Sequence, residues 1–322
     1  MHKLPVFATV GRALWFVIGD LPAIVRLSWF PLLLVTVANY FVGLQMLDLT
    51  ISVFEKTAAG APPDPFAILR HPAYTWSLAV ALLQAVAVAI VTVALHRILL
   101  YGDLKPGTFI HFSFGKVELL FLLVPILLAL AVVFFIFVVM IGLAVATGVG
   151  VSASGMSPEQ LEQWMRGSPL VAGVLALLAV IVIYLAVRLH LVFPTMVVEQ
   201  RMAISEAWDL TNGNFWRIVG LYILVFLFAV LIGICVAIGI STMAGINFVP
   251  PITEGPEAIN RHQLALIKFE RDNFVALTAI GYVLNMLIGA FGVGLLSYSY
   301  KALRGLGATD TIDMIKTGES EA

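Results

Sequence analysis

Six stretches of this chain run for 21 residues or more without Asp, Glu, Lys, Arg or His: 27–47, 72–95, 119–158, 167–187, 218–253 and 273–300. A helix needs about 20 apolar residues to cross about 30 Å of hydrocarbon, so each run can span a bilayer. Alternating apolar-polar segments of strand length are absent, which excludes an outer-membrane barrel. The third and fifth runs overshoot, but their far ends, 147–158 and 241–253, turn rich in Gly, Ser and Pro and read as loop. The expected fold is therefore all-α, with six transmembrane helices at about 27–47, 72–97, 119–146, 168–193, 217–241 and 273–300. Together they form one membrane domain over 27–303, preceded by an amphipathic segment, 1–26, and followed by a tail, 304–322.

Composition points the same way. Hydrophobic residues make up 61% of the chain and charged ones 11%, against about 45–50% and about 25% in soluble domains. Such a chain cannot cover itself with polar surface, so soluble enzyme, disordered protein and nucleic-acid-binding domain are excluded. The net charge of −1 offers no basic field to a polyanion. A single cysteine, Cys235, rules out an intramolecular disulfide framework and a thiolate cluster. Its apolar neighbours predict a buried, inert thiol.

Lys and Arg fix the expected orientation. Twelve fall in the N-terminal segment, the second and fourth connections and the tail; six fall in the other loops. Positive charge stays on the cytoplasmic side, so both termini are expected there. The apolar stretch 13–18 is too short for a signal h-region and lacks a cleavage site. A bacterial inner membrane fits best.

Between the spans the sequence predicts short amphipathic helices. One covers 12–18, with Trp15 and Phe16, and closes at Gly19-Asp20. Another places Ile204, Ala207, Trp208 and Thr211 on one helical face and stops at Asn212-Gly213, where Gly supplies a left-handed residue. Asn214 is placed to cap the next helix through its side-chain oxygen. At an offset of 194 the two elbows pair Ala13 with Ala207, Gly19 with Gly213, Asp20 with Asn214, Ile24-Val25 with Ile218-Val219 and Leu27 with Leu221. A weaker third copy at Gly115-Lys116 suggests an in-plane helix plus hairpin used three times. On the other side, Ser157-Pro158-Glu159-Gln160 and Gly255-Pro256-Glu257 carry helix-start signals. The second helix is expected to run through Arg271, with Ile259, Leu266 and Phe269 on one face, and 61–66 reads as a stiff connector.

Reactive chemistry is sparse. No span buries a charge, which speaks against proton or sodium coupling. His96, Asp103, His111 and Glu118 share a connection, but their spacing matches no metal site. Gly150-Val151-Ser152-Ala153 resembles a serine-protease motif without a histidine base in the sixth span. No cofactor, metal or catalytic group is expected. The uncharged polar residues Asn39, Gln45, Gln84, Thr92 and Asn285 are candidate interhelical hydrogen-bond formers. Small pairs Gly142/Ala146, Gly233/Ala237 and Ala290/Gly294 mark faces for close helix approach, and Gly281, Gly289 and Gly292 smooth the sixth helix.

The most specific motif runs from Arg188-Leu-His190 through Pro194 and Glu199 to Ala207-Trp208-Asp209-Leu210-Thr211-Asn212-Gly213-Asn214-Phe215-Trp216-Arg217. Over about 30 residues it resembles the bacterial glycerophosphoryl diester phosphodiesterase membrane-domain family and related uncharacterised six-helix inner-membrane proteins. Where that pattern commonly has Ser, this chain has Ala207. The resemblance implies fold and location. The hydrolase activity in the family name belongs to a separate soluble barrel, and this chain has no extramembrane segment long enough for one.

Two functional expectations follow. The first is a non-enzymatic accessory or membrane-organising protein whose partners are membrane lipids and, unidentified, a membrane protein. Its candidate anionic-headgroup site comprises Arg188, Arg201, Trp208, Asn214, Trp216 and Arg217. Against that site stands a purely structural staple in which Glu199 pairs with Arg188 or Arg217. The second expectation is an uncoupled transporter or channel for a small or amphipathic solute, lined by Asn39, Gln84 and Asn285. It requires those three to converge on a mid-membrane cavity.

Overall fold

The computed structural model describes residues 2–58, 66–102, 112–154, 168–245 and 255–312. Eleven helices occur among them: α1 (Val6–Gly19), α2 (Leu21–Ala58), α3 (Ala67–Arg70), α4 (Pro72–Tyr101), α5 (Lys116–Ser154), α6 (Pro169–Arg188), α7 (Val192–Glu199), α8 (Ile204–Leu210), α9 (Phe215–Ala244), α10 (Pro256–Asp272) and α11 (Phe274–Leu303). Six are long and apolar enough to cross a membrane: α2, α4, α5, α6 continued by α7, α9 and α11. The chain is an all-α, multi-pass membrane protein.

The ends of the spans differ from the sequence reading. The first helix begins at Val6 rather than at residue 12. The third span continues as helix to Ser154, through the stretch that reads as loop from residue 147. Gly costs only about 1 kcal/mol in a helix and Ser less, so scattered small residues do not end one. The fifth span stops at Ala244, where Gly245 adopts φ +64°. At 1.5 Å per residue, the 38-residue α2 is about 57 Å long. It therefore runs well past the hydrocarbon, and α10 packs on its far end. There Arg271 Nε donates to Asp48 Oδ1 at 2.9 Å and Lys268 Nζ lies 2.7 Å from Glu55 Oε1. Pro256 opens α10, and Ile259, Leu266 and Phe269 are part-buried on it, as the start signal and spacing anticipate. The candidate helix at 157–160, most of the connector at 61–66, and Asp103 and His111 lie outside the described residues.

The helices pack in two ways. α2, α4 and α11 form the tight part of the bundle, with α1 laid against α11. Gly294 makes that approach: a Cβ there would sit 3.3 Å from the Ala13 Cα. Tyr282 OH ties α11 to α2 by donating to the Trp29 carbonyl at 2.9 Å. α5, α6 and α9 touch their neighbours less and expose most of their apolar surface. Cys235 is on this exposed surface of α9, not buried as its neighbours suggest. A window of apolar residues identifies a span, but not which of its faces meets protein and which meets lipid.

The two aligned elbows share their backbone. Ala23 and Ile24 N–H both donate to the Asp20 carbonyl, at 2.9 and 3.0 Å; Arg217 and Ile218 N–H both donate to the Asn214 carbonyl at 3.0 Å. Ala13 and Ala207, and Ile24 and Ile218, are all fully buried. The aligned glycines differ: Gly213 is left-handed at φ +73°, whereas Gly19 is the last residue of α1 and has no positive φ. For the third copy, residues 112–115 are not helical and α5 starts at Lys116; the segment 103–111 lies outside the described residues.

Candidate functional site

α6 ends at Arg188, and a three-residue turn leads into α7, whose residues from Pro194 to Val198 are all buried. α7 contacts α4, α5, α8 and α11, so this short helix anchors the elbow in the core. The Gln200 backbone at φ 53° closes it, and its N–H donates to the Met196 carbonyl at 3.0 Å. α8 then leads through Gly213 into α9.

This path sets the Arg188 guanidinium 4.4 Å from the Trp208 ring centroid and 5.9 Å from that of Tyr184. A guanidinium over an indole face is held by the ring quadrupole. Its Nη1 reaches Thr211 Oγ1 at 3.5 Å, while its Nε is buried without a hydrogen-bond partner. Ring contacts continue from Trp208 to Tyr184 at 5.8 Å, Tyr184 to Phe215 at 5.6 Å and Phe215 to Trp216 at 5.1 Å. Trp216 is 80% exposed at the start of α9. Arg188, Trp208 and Trp216 therefore belong to one aromatic-lined rim.

Asn214 has a different role from the expected cap. No side-chain capping bond forms on α9. Instead Asn214 Oδ1 accepts the Leu4 N–H at 3.0 Å, and Nδ2 donates to the His2 carbonyl at 3.0 Å. Arg217 Nη1 donates to the Leu4 carbonyl at 3.1 Å. The carboxamide serves the non-helical backbone at 2–4 rather than its own helix start, because one side chain then satisfies a donor and an acceptor together. Local sequence gives no sign of this partner 210 residues away.

Glu199 pairs with neither Arg188 nor Arg217. Its carboxylate lies 3.5 Å from Arg304 Nη2 and 3.9 Å from Arg201 Nη2. Arg201 also pairs with Glu206. Glu206 sits below the usual carboxylate range because its own backbone N–H, the Ser205 hydroxyl and Arg201 donate to it. Arg201 thus faces two carboxylates just past the end of α7. Among the described residues no carboxylate pairs with Arg188 or Arg217.

The tail closes the same end of the bundle. Lys301 Nζ donates to the Ala308 carbonyl at 3.1 Å, and Ile312 N–H to the Leu100 carbonyl at 2.8 Å. Residues 304–312 are therefore packed against the bundle, beside the elbow that also holds the start of the chain.

Asn39, Gln84 and Asn285, the expected channel lining, are each exposed. The buried polar groups lie elsewhere: His96 Nδ1 is 2.7 Å from Ser297 Oγ, and His190 Nδ1 is 2.8 Å from Tyr222 OH. Glu118 is 2% exposed, accepts the Gly115 N–H at 2.9 Å and lies 3.6 Å from Arg97. Imidazole pairing with hydroxyls on distant helices leaves no trace in local spacing.

The family model described as domain of unknown function (DUF7847) matches residues 5–303. The chain belongs to the DUF7847 family. No curated protein and no solved structure matches it. The DUF7847 match takes in all six spans and the whole elbow from Arg188 to Arg217.

Proposed function

We propose that this DUF7847 chain is a non-enzymatic, membrane-organising protein of the bacterial inner membrane, with both termini cytoplasmic, that holds an anionic lipid headgroup at the Arg188–Arg217 elbow. The carrying observation is the Arg188 guanidinium on Trp208, with a buried unpartnered Nε and, among the described residues, no carboxylate paired to it. A neighbouring Glu199 occupied by Arg304 and Arg201 leaves that charge for a ligand. Arg217 uses one N–H on Leu4, and a guanidinium carries five. Trp216 is of the type that anchors at headgroup depth, and the α9 N-terminus adds the positive end of its dipole. The outward face of α1, with Phe7, Trp15 and Ile18 exposed and Arg12 beside them, suits an amphipathic helix in the interface. The likeness of the elbow to the glycerophosphoryl diester phosphodiesterase membrane domain supports the same location. The transporter reading is the less favoured one, because Asn39, Gln84 and Asn285 are each exposed and, among the described residues, none of them has a hydrogen-bond partner.

Native mass spectrometry of protein released from phosphatidylglycerol-containing membranes tests the site. Arg188→Ala and Arg217→Ala are each expected to lower anionic-lipid retention about tenfold, the worth of one hydrogen bond to a charged group. Glu199→Ala is expected to keep it. Equal losses of thermal stability with unchanged retention would leave the elbow a helix staple. Cysteine labelling that reaches Lys3 and Arg304 positions from the periplasm would overturn the orientation.

A further inference from the structure

At the opposite end of the bundle from the elbow, α2 and α4 part to leave a cleft of about 400 Å³. Each helix lines it with one face at the same spacing: Ala38, Phe41 and Gln45 on α2, and Trp76, Ala79 and Leu83 on α4. The two small residues make the space, since a longer side chain at 38 or 79 would fill it.

The cleft is graded from polar to apolar along its length. Gln45 lies one turn from Asp48, the first charge after the span, and Trp76 one turn inside the start of α4. Both therefore sit at the depth where headgroup meets hydrocarbon, the usual place for Trp. Ala38 and Leu83, seven residues further in on each helix, lie about 10 Å deeper among apolar side chains. Gln45 is exposed and, among the described residues, has no hydrogen-bond partner, so its amide is free to donate to a ligand in the cleft. The volume is at the small end of the range for ligand sites, about 300–1,000 Å³, so it suits one chain rather than a folded two-tailed lipid.

From this grading we infer that the α2–α4 cleft is a binding site for a single acyl chain of a membrane phospholipid, with Gln45 donating to the ester carbonyl. The chain lies along Ala38, Ala79 and Leu83, and the headgroup stays in the interface beside Trp76. The site is independent of the elbow: it is at the other end of the bundle and uses none of its residues.

The test is photolabelling in phosphatidylethanolamine–phosphatidylglycerol vesicles doped with a phospholipid bearing a diazirine on one acyl chain, followed by peptide mapping. Label is expected to concentrate on 38–45 and 76–83 over the apolar and more exposed α9. Ala79→Phe, at an exposed position, is expected to reduce it to the α9 level. Gln45→Leu is expected to weaken it about fivefold, the worth of one hydrogen bond, and Arg188→Ala to leave it unchanged. Label spread evenly over α2, α4 and α9 in the wild type, or unaltered by Ala79→Phe, would overturn the proposal.

Discussion

The Asn214 side chain holds the N-terminal segment from 210 residues away: its Oδ1 accepts the Leu4 N–H while its Nδ2 donates to the His2 carbonyl. Leu4 is buried and joins the main hydrophobic cluster with Leu191 and Met196. The start of the chain is therefore part of the elbow. Asn214→Ala would leave the buried Leu4 N–H unsatisfied, a cost of about 1–3 kcal/mol. Thermal unfolding in detergent should fall accordingly, and amide exchange at Leu4 should quicken. Asn214→Asp keeps the acceptor and is expected to lose less. An alanine variant as stable as the wild type would mean that the contact is dispensable.

Gly294 is fixed by the approach of α1. A Cβ there would meet Ala13 Cα at 3.3 Å and Phe16 Cδ1 at 3.3 Å. Alanine needs a shift of a few tenths of an ångström; valine needs α1 to move off α11. Gly294→Val is expected to cost about 1–3 kcal/mol, the usual range for overpacking. Gly289→Val, where a Cβ would meet nothing within 4 Å, is the control and should be close to neutral. Equal effects of the two on the melting temperature would refute close packing at Gly294.

The contrast between these glycines marks what the sequence could tell. Charge-free runs locate all six spans because exclusion of charge from hydrocarbon is a property of each residue by itself. The Gly213 turn and the Pro256 start were legible because they are local backbone preferences. In the small pair Ala290/Gly294, Gly294 meets α1 closely, and Ala290 is fully buried in a cluster with residues of α1, α2 and α4. A Cβ placed on Gly233 would meet nothing within 4 Å, although its sequence pattern is the same. Packing partners depend on the whole chain, so an identical local pattern yields a contact in one helix and a lipid-facing surface in another.

The candidate site was legible to the same limit. Arg188, Trp208 and Trp216 share a rim because helix spacing and the motif bring them there. Asn214 and Glu199 misled for one physical reason: each found a better partner far away in sequence than the local one. For Glu199 that partner is Arg304, on a tail that carries no periodic signal.

Glu199 thus links α7 to the tail. The carboxylate is 30% exposed and Arg304 is 41% exposed, so solvent screens the pair. Glu199→Ala is expected to cost about 0–1 kcal/mol, with faster proteolysis around 304–312 as the main change. A loss above this range would show that Glu199 supports the fold by more than this pair.

The far end of α2 offers a test that salt alone can perform. Arg271 is raised above its ordinary pKa, chiefly by its hydrogen bond to Asp48 and their opposite charges. Both partners are about half exposed, and Lys268 and Glu55 nearby are similar. Exposed charges are screened over about 3 Å at 1 M salt, against about 10 Å at 0.1 M. High salt should therefore loosen α10 from α2 while leaving the tight α2–α4–α11 packing intact. Hydrogen exchange over 256–272 is expected to rise with salt in the wild type, and exchange in 89–100 to stay unchanged. Asp48→Asn with Glu55→Gln should give the fast exchange at low salt and lose the salt dependence. If α10 remains protected in that double variant, its apolar face with Ile259, Leu266 and Phe269 holds it to α2, and the ion pairs only decorate the contact.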